Sequence, residues 1–332
     1  MHEDRPTCAA IDCGTNSTRL LVARPEAAGP IGVRSSRLTT LVRRNAITRL
    51  GQGVDAGGHL ASDAIARVVT VLEDYATVLA ENGVAPDRIR MTATSAARDA
   101  GNREEFFAAA EAVIGVRPEL LSGDEEARLS WLGATTALPP TWRDGRDPDD
   151  LDLVVDIGGG STEFAVGRAG EFEPHGTVSV DIGCVRITEK FLHGDPPTAE
   201  ELSQAISVVR DHLDDVSRDL AGVGAATRLV GLAGTITTVA AVEIGLVTYA
   251  RDQIHHYTLT RDAVEDVFRT LATESRADRI HNPGLESGRA DVVVGGCIVL
   301  VALLRHLGFN ELLVSESDIL DGLAATIAAR PA

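Results

Sequence analysis

The sequence predicts an α/β protein of two domains, each opening on a β-hairpin, with a cleft between them. Three observations carry that expectation. Residues 11–23 (IDCGTNSTRLLVA) return in altered form as residues 155–167 (VDIGGGSTEFAVG), so that Asp12, Gly14, Ser17, Thr18 and Val22 match Asp156, Gly158, Ser161, Thr162 and Val166. Apolar residues at helical spacing alternate with strand-like runs along both halves. Residues 138–150 (LPPTWRDGRDPDD), rich in Pro, Gly and Asp and without periodicity, read as a long turn or linker just ahead of the second copy.

Each copy of the repeat reads as strand, Gly-rich turn, strand. A backbone without Cβ can bend sharply and present successive N–H groups to an anion, and the hydroxyls of Ser17, Thr18, Ser161 and Thr162 add donors beside them. Asp12 and Asp156 close short apolar strands where the turns begin. A carboxylate beside phosphate oxygens makes sense mainly with a hard divalent cation between them, which implies Mg²⁺. Either turn alone is explained as well by a tight hairpin in which Asp supports the turn and Gly supplies positive φ. Their recurrence half a chain apart favours two phosphate clamps.

The spacing predicts a helix through Ile65, Val68, Val69, Leu72, Tyr75, Ala76 and Leu79, and another through Leu202, Ile206, Val209, Leu213, Val216 and Leu220, with Thr198 and Glu201 as its capping box. A third Gly-containing turn, residues 231–241 (GLAGTITTVAA), follows a short apolar strand. Its helix N-terminus could meet a phosphate or nucleotide, and close strand-to-helix packing explains its glycines equally well. The apolar run 292–304 is 13 residues long, against the ~20 of a membrane span, and reads as a buried helix. That helix can serve as core or as interface.

Composition is that of a soluble globular protein: 332 residues, 44% hydrophobic and 24% charged, long enough for two domains. The N-terminus lacks the basic and apolar regions of a signal peptide, so a cytoplasmic protein is expected. Cys8, Cys13, Cys184 and Cys297 show no CxxC and no metal-ligand spacing and are expected as reduced buried thiols. The adjacent His255 and His256 fit a strand with one ring outward. A net charge of −18 argues against nucleic acid as a partner. Yet residues 27–54 contain no acid, while Arg34, Arg37, Arg43, Arg44 and Arg49 fall within them. A second basic set, Arg88, Arg90, Arg98 and Arg103, brackets MTATSAARDAGN. Most such arginines belong to solvated faces, but an acid-free window after the first turn also offers a lane for an anion.

The motifs AIDCGTNSTRLLVA, TATSAARDAGN, SGDEEARLSWLGA, VVDIGGGSTEF and GLAGTITT, in this order, resemble the exopolyphosphatase and guanosine pentaphosphate phosphohydrolase family over nearly the whole chain. The resemblance implies a two-domain actin-like ATPase fold with ribonuclease-H-like cores. It implies a first domain over residues 1–130, onto which a helix within 317–330 packs back, and a second over residues 131–316. It further implies release of terminal phosphate from polyphosphate, with short chains expected, or from guanosine pentaphosphate. Mg²⁺ or Mn²⁺ would assist, and a homodimer is expected, with no nucleic acid or membrane partner.

By the same resemblance Glu126, the second glutamate of EEAR, is the catalytic base. Ser122 to Glu125 form an S-x-x-E capping box that gives Glu125 a structural task and leaves Glu126 spare; the helix N-terminus helps keep it ionised. Asp12, Asp156 and Glu163 match acidic positions around the metal. Gly14, Thr15, Asn16, Ser17 and Thr18, with Gly158, Gly159, Gly160, Ser161 and Thr162, form the loops. Arg19 and Arg98 match basic positions that hold substrate phosphate through bidentate contacts. Asp321 stands where many relatives carry arginine, which removes one basic contact. The short C-terminus lacks the helical domain with which many relatives extend a polyphosphate channel. A sugar or acid kinase of the same superfamily, and a catalytically silent sensor of polyphosphate or an alarmone, are the competing readings.

Overall fold

A computed structural model describes residues 6–26 and 38–329; Arg34 and Arg37 lie outside them. The chain divides into two compact units, one formed by the residues up to Thr136 together with those from Asp318 onward, the other by Ala137–Ser317.

The first unit is built on a five-stranded sheet. Strands β1 (Cys8–Cys13), β2 (Ser17–Pro25), β3 (Leu38–Ile47), β4 (Ile89–Ala93) and β5 (Glu119–Leu120) lie in the order β3-β2-β1-β4-β5. The first three form an antiparallel meander, and β4 and β5 run parallel to β1. β1 is buried along its whole length, as a central strand covered on both faces must be. One face carries Ile11, Leu20 and Val22 into a core with Val68, Leu72, Tyr75 and Leu79 of the helix Ser62–Glu81. The other carries Cys8, Ala10, Leu21 and Ala23 against Leu129 of the helix Gly123–Thr136 and Ile319, Leu320 and Leu323 of the helix Ile319–Ala328. Those two helices cross at glycines. A Cβ on Gly133 would collide with the Asp318 carbonyl, and one on Gly322 with that of Leu129.

The second unit repeats the design. Strands β6 (Leu151–Ile157), β7 (Thr162–Gly167), β8 (Gly176–Val180), β9 (Ala226–Leu232), β10 (Thr258–Thr260) and β11 (Glu311–Val314) lie in the order β10-β11-β9-β6-β7-β8. Again three strands form an antiparallel meander, β9 pairs parallel with β6, and β11 parallel with β9; β10 is an added antiparallel edge. The shared order is that of the ribonuclease-H-like core, and two such cores make the actin-like fold. The apolar helix Val293–Leu307 is buried in this unit's core, packed with Val209 and Leu213 of the helix Ala199–Asp219. Thr198 and Glu201 form the capping box of the latter.

Three local expectations change. The segment 138–150 is no free linker: Trp142 is buried and donates from Nε1 to Asp152 Oδ1 at 3.0 Å, and Arg146 pairs with the same oxygen at 2.6 Å. His255 and His256 follow the short helix Arg251–Ile254, ahead of β10. His256 has φ of 69°, and the rings stack 3.7 Å apart; a backbone turned left-handed there cannot continue a strand. At the start of Gly123–Thr136 only half of the capping box forms. Ser122 Oγ accepts from Glu125 N at 3.2 Å, while the Glu125 carboxylate lies 3.8 Å from Arg90 Nη2.

Candidate active site

The two repeated turns close with the same bond. Gly14 N donates to Ser17 O at 3.0 Å, and Gly158 N donates to Ser161 O at 3.0 Å. In each hairpin the aspartate has the same cross-strand neighbour position: Asp12 opposes Arg19, and Asp156 opposes Glu163. The repeat therefore shares its register as well as its residues.

In the first turn the carbonyls face the scaffold. Gly51 N donates to Thr15 O at 2.8 Å, and Thr48 N and Arg49 N to Asn16 O at 3.0 and 2.9 Å. Thr18, expected as a phosphate donor, places its hydroxyl 2.9 Å from Thr48 Oγ1. Asn16 is only 6% exposed, and neither its side-chain nitrogen nor its oxygen has a hydrogen-bond partner. The scaffold thus employs its carbonyl and leaves its amide side chain unused. Asp12 is 2% exposed, takes Arg19 Nη2 on Oδ2 at 2.6 Å, and lies 3.4 Å from Thr92 Oγ1. Arg19, expected to grip substrate, is instead held by two carboxylates, since its Nη1 donates to Asp318 Oδ2 at 2.6 Å. Asp321 is likewise engaged, accepting from Arg43 Nη2 at 2.6 Å.

The second turn is braced by the helix Cys184–Phe191. Cys184 N donates to Gly158 O at 3.0 Å, and Val185 N and Arg186 N to Gly159 O at 2.9 and 3.2 Å. Arg186 Nε donates to Gly160 O at 2.7 Å. The Thr162 hydroxyl, like that of Thr18, goes to the scaffold, donating to the Ile182 carbonyl. Both threonines brace their turns, because a buried hydroxyl at the start of a strand needs a hydrogen-bond partner. Ser161 is buried at the end of the turn. Asp156 and Glu163 are both buried, and Ser179 Oγ donates to Glu163 Oε1 at 2.8 Å. The described residues hold no group of three or more His, Cys, Asp or Glu gathered for a metal ion.

Glu126 lies in the first turn of Gly123–Thr136 and is 9% exposed. Its Oε2 accepts from Arg98 Nη1 at 2.7 Å, and the same nitrogen reaches Leu121 O at 3.1 Å. Arg98 belongs to the short helix Ser95–Asp99 directly after β4. The structure therefore brings the expected base and an expected phosphate ligand into one ion pair. In the third turn a Cβ on Gly231 would lie 2.7 Å from Ile236 Cδ1 and Leu312 Cδ1, so close packing accounts for that glycine. All four cysteines are free and buried. Burial pushes their thiols up, that of Cys297 to about 12.

Thr48, Thr92, Ser179, Asp318 and Arg43 escape sequence reasoning as site neighbours. Only Arg43 carries a signal, as part of the acid-free window; the others become neighbours through sheet register or chain return.

Two ribonuclease-H-like cores, each with a Gly turn between a buried aspartate and a second strand, define an α/β protein of the actin-like fold. The model of the Ppx/GppA phosphatase family matches residues 31–329, and the chain belongs to that family. It is 43% identical over 329 residues to exopolyphosphatase 2 of Mycobacterium tuberculosis, covering 96% of this chain and 98% of that protein. Among solved structures, an exopolyphosphatase-like protein superposes with a TM-score of 0.85 at 36% identity, covering 96% of this chain and 97% of the other. The Ppx/GppA family member of Aquifex aeolicus does so with a TM-score of 0.76 at 29% identity, covering 97% of each. No helix among the described residues is long and apolar enough to cross a membrane.

Proposed function

We propose that the chain is a Mg²⁺- or Mn²⁺-dependent exopolyphosphatase that releases terminal orthophosphate from inorganic polyphosphate, short chains in particular, with guanosine pentaphosphate as the alternative substrate. What carries the reading is Glu126, a carboxylate nine-tenths buried at a helix start and held by Arg98 at 2.7 Å, in a family of phosphatases whose relative at 43% identity is named an exopolyphosphatase.

Hydrolysis needs a water oxygen to bond the terminal phosphorus while the bridging P–O bond breaks. The water proton goes to a base, and the shortened chain leaves with the bridging oxygen. Glu126 is that base, and Arg98 fixes its orientation. A carboxylate left to rotate would lose the positioning on which phosphoryl transfer mostly depends. The unused Asn16 amide supports an anion at the first turn. A buried amide without partners costs about 1–3 kcal/mol, and phosphate oxygens would accept from its nitrogen.

Asp156 and Glu163 fit a divalent cation, because two buried carboxylates directly opposite each other across strands repel and supply the hard oxygen donors it takes. When bound, the cation neutralises charge on the nonbridging phosphate oxygens.

The experiment is phosphate release from short polyphosphate, long polyphosphate and guanosine pentaphosphate, with Mg²⁺ and with chelator, by the parent and by Glu126→Gln. Loss of about 10²-fold or more in kcat for the variant, with circular dichroism unchanged, is expected from removal of a general base. Turnover unchanged by Glu126→Gln refutes the assignment. Loss on guanosine pentaphosphate alone, with no release from polyphosphate by the parent, moves the substrate to the alternative.

A further inference from the structure

One chain of ion pairs in the first unit ties the start of the helix Ile319–Ala328 to Asp12. Arg19 donates from Nη2 to Asp12 Oδ2 and from Nη1 to Asp318 Oδ2, both at 2.6 Å. Asp318 is the N-cap of that helix, and its Oδ1 accepts from Leu320 N at 3.0 Å and from Arg43 Nη2 at 3.2 Å. Arg43, from β3, also donates from Nη2 and Nη1 to Asp321 Oδ2 at 2.6 and 3.1 Å. Asp321 returns to Asp318 N at 2.9 Å, closing a capping box.

A helix cap alone does not need this arrangement. Capping is satisfied by one side-chain oxygen on the N-cap residue, and Oδ1 supplies it. Oδ2 is spent on Arg19, and Arg43 holds Asp318 and Asp321 together behind it. The sheet makes this possible. Arg19 opposes Asp12 and Leu21 opposes Arg43, so both arginines stand on the face that carries Leu21 against the helix. These side chains are between 3% and 18% exposed, where an arginine shared by two carboxylates is held firmly in orientation.

We propose that Asp318, braced by Arg43 and Asp321, is a positioning residue: it holds Arg19, which in turn fixes the carboxylate of Asp12 at the mouth of the first turn. Arg19 is then a buttress and not a grip on substrate. The proposal rests on the functional reading above.

Asp318→Ser separates the two roles, since serine caps a helix as well as aspartate does but offers Arg19 and Arg43 no charge. The variant is expected to keep the urea midpoint of the parent. Its kcat should fall about tenfold or more, the usual cost of removing a group that orients another, while KM changes less than about threefold. The Arg19 Nε–H signal in nitrogen-15 NMR, assigned by its loss in Arg19→Lys, should be protected in the parent and exchange-broadened in Asp318→Ser. Asp318→Asn, which caps and still accepts from Arg19, should recover part of the loss, and it replaces the serine variant if that one does not fold. A rise in KM alone, or an Arg19 signal unchanged in Asp318→Ser, overturns the proposal. If the parent releases phosphate from none of the three substrates, the functional reading fails, and the Arg19 signal alone decides the positioning role.

Discussion

Gly183→Ala is the sharpest probe of the second turn. Gly183 precedes the helix Cys184–Phe191 with φ −140° and ψ 165°, an extended conformation open to any residue. Its glycine is needed for closeness, since a Cβ there would meet the Gly159 carbonyl group and lie 2.6 Å from Gly160 N. All of these are backbone atoms, so no rotamer change relieves the overlap. Ordinary contact begins near 3.4 Å, which forces the turn or the helix to yield by at least about 0.8 Å in a close-packed interior. Overpacking of this kind costs about 1–3 kcal/mol. The same shift strains the bonds from Val185 N and Arg186 N to Gly159 O, each worth about 1 kcal/mol. The variant should lose about 2–4 kcal/mol in urea unfolding. Phosphate release should fall about 10²-fold, as for a misplacement approaching 1 Å. Gly224→Ala, where a Cβ meets nothing within 4 Å, is the control and should match the parent. A Gly183→Ala enzyme within threefold of the parent rate and equally stable would refute the claim that this turn is held by contact with Gly183.

Further outcomes follow from burial and charge. With Cys297 pushed up to about 12 and the other thiols raised by burial, about one thiol in 10⁴ at position 297 is ionised at pH 8. A disulfide reagent should therefore label none of the four cysteines in the native protein and all four in denaturant; rapid native labelling would contradict their burial. Glu201 is held below the usual carboxylate range, first by the Thr198 backbone N–H and also by those of His193 and Gly194. A lowered folded pKa stabilises above the unfolded value of about 4.3 and loses that contribution as pH falls through the folded one. The stability gap between the parent and Glu201→Gln should be constant from about pH 6 to 8 and close below about pH 4. A gap that widens on acidification would reverse the sign.

The hairpins were legible because their signal is local: a buried strand, an aspartate, a glycine turn and a second strand lie within 13 residues in each copy. Helices such as Ser62–Glu81 were legible for the same reason, through one apolar stripe. The ion pair of Arg19 with Asp318 spans 299 residues, and no periodicity announces such a partner. Thr18 and Thr162 misled because a hydroxyl beside a glycine turn reads the same whether it serves a ligand or a neighbouring strand. In residues 138–150 proline and aspartate obscured Trp142, whose burial docks the segment. Alternation through QIHHYTLT imitates a strand, while the left-handed backbone at His256 depends on its tertiary surroundings.

The division of the chain has a consequence for biosynthesis. Ala137–Ser317 is contiguous and can condense as soon as it emerges from the ribosome. The other unit is split, and its sheet face bearing Cys8, Ala10, Leu21 and Ala23 is covered in part by Ile319, Leu320 and Leu323, which are translated after the whole of the inserted unit. The half made first is thus finished last. Until then the part of that apolar sheet face which the last helix covers stays open on the nascent chain.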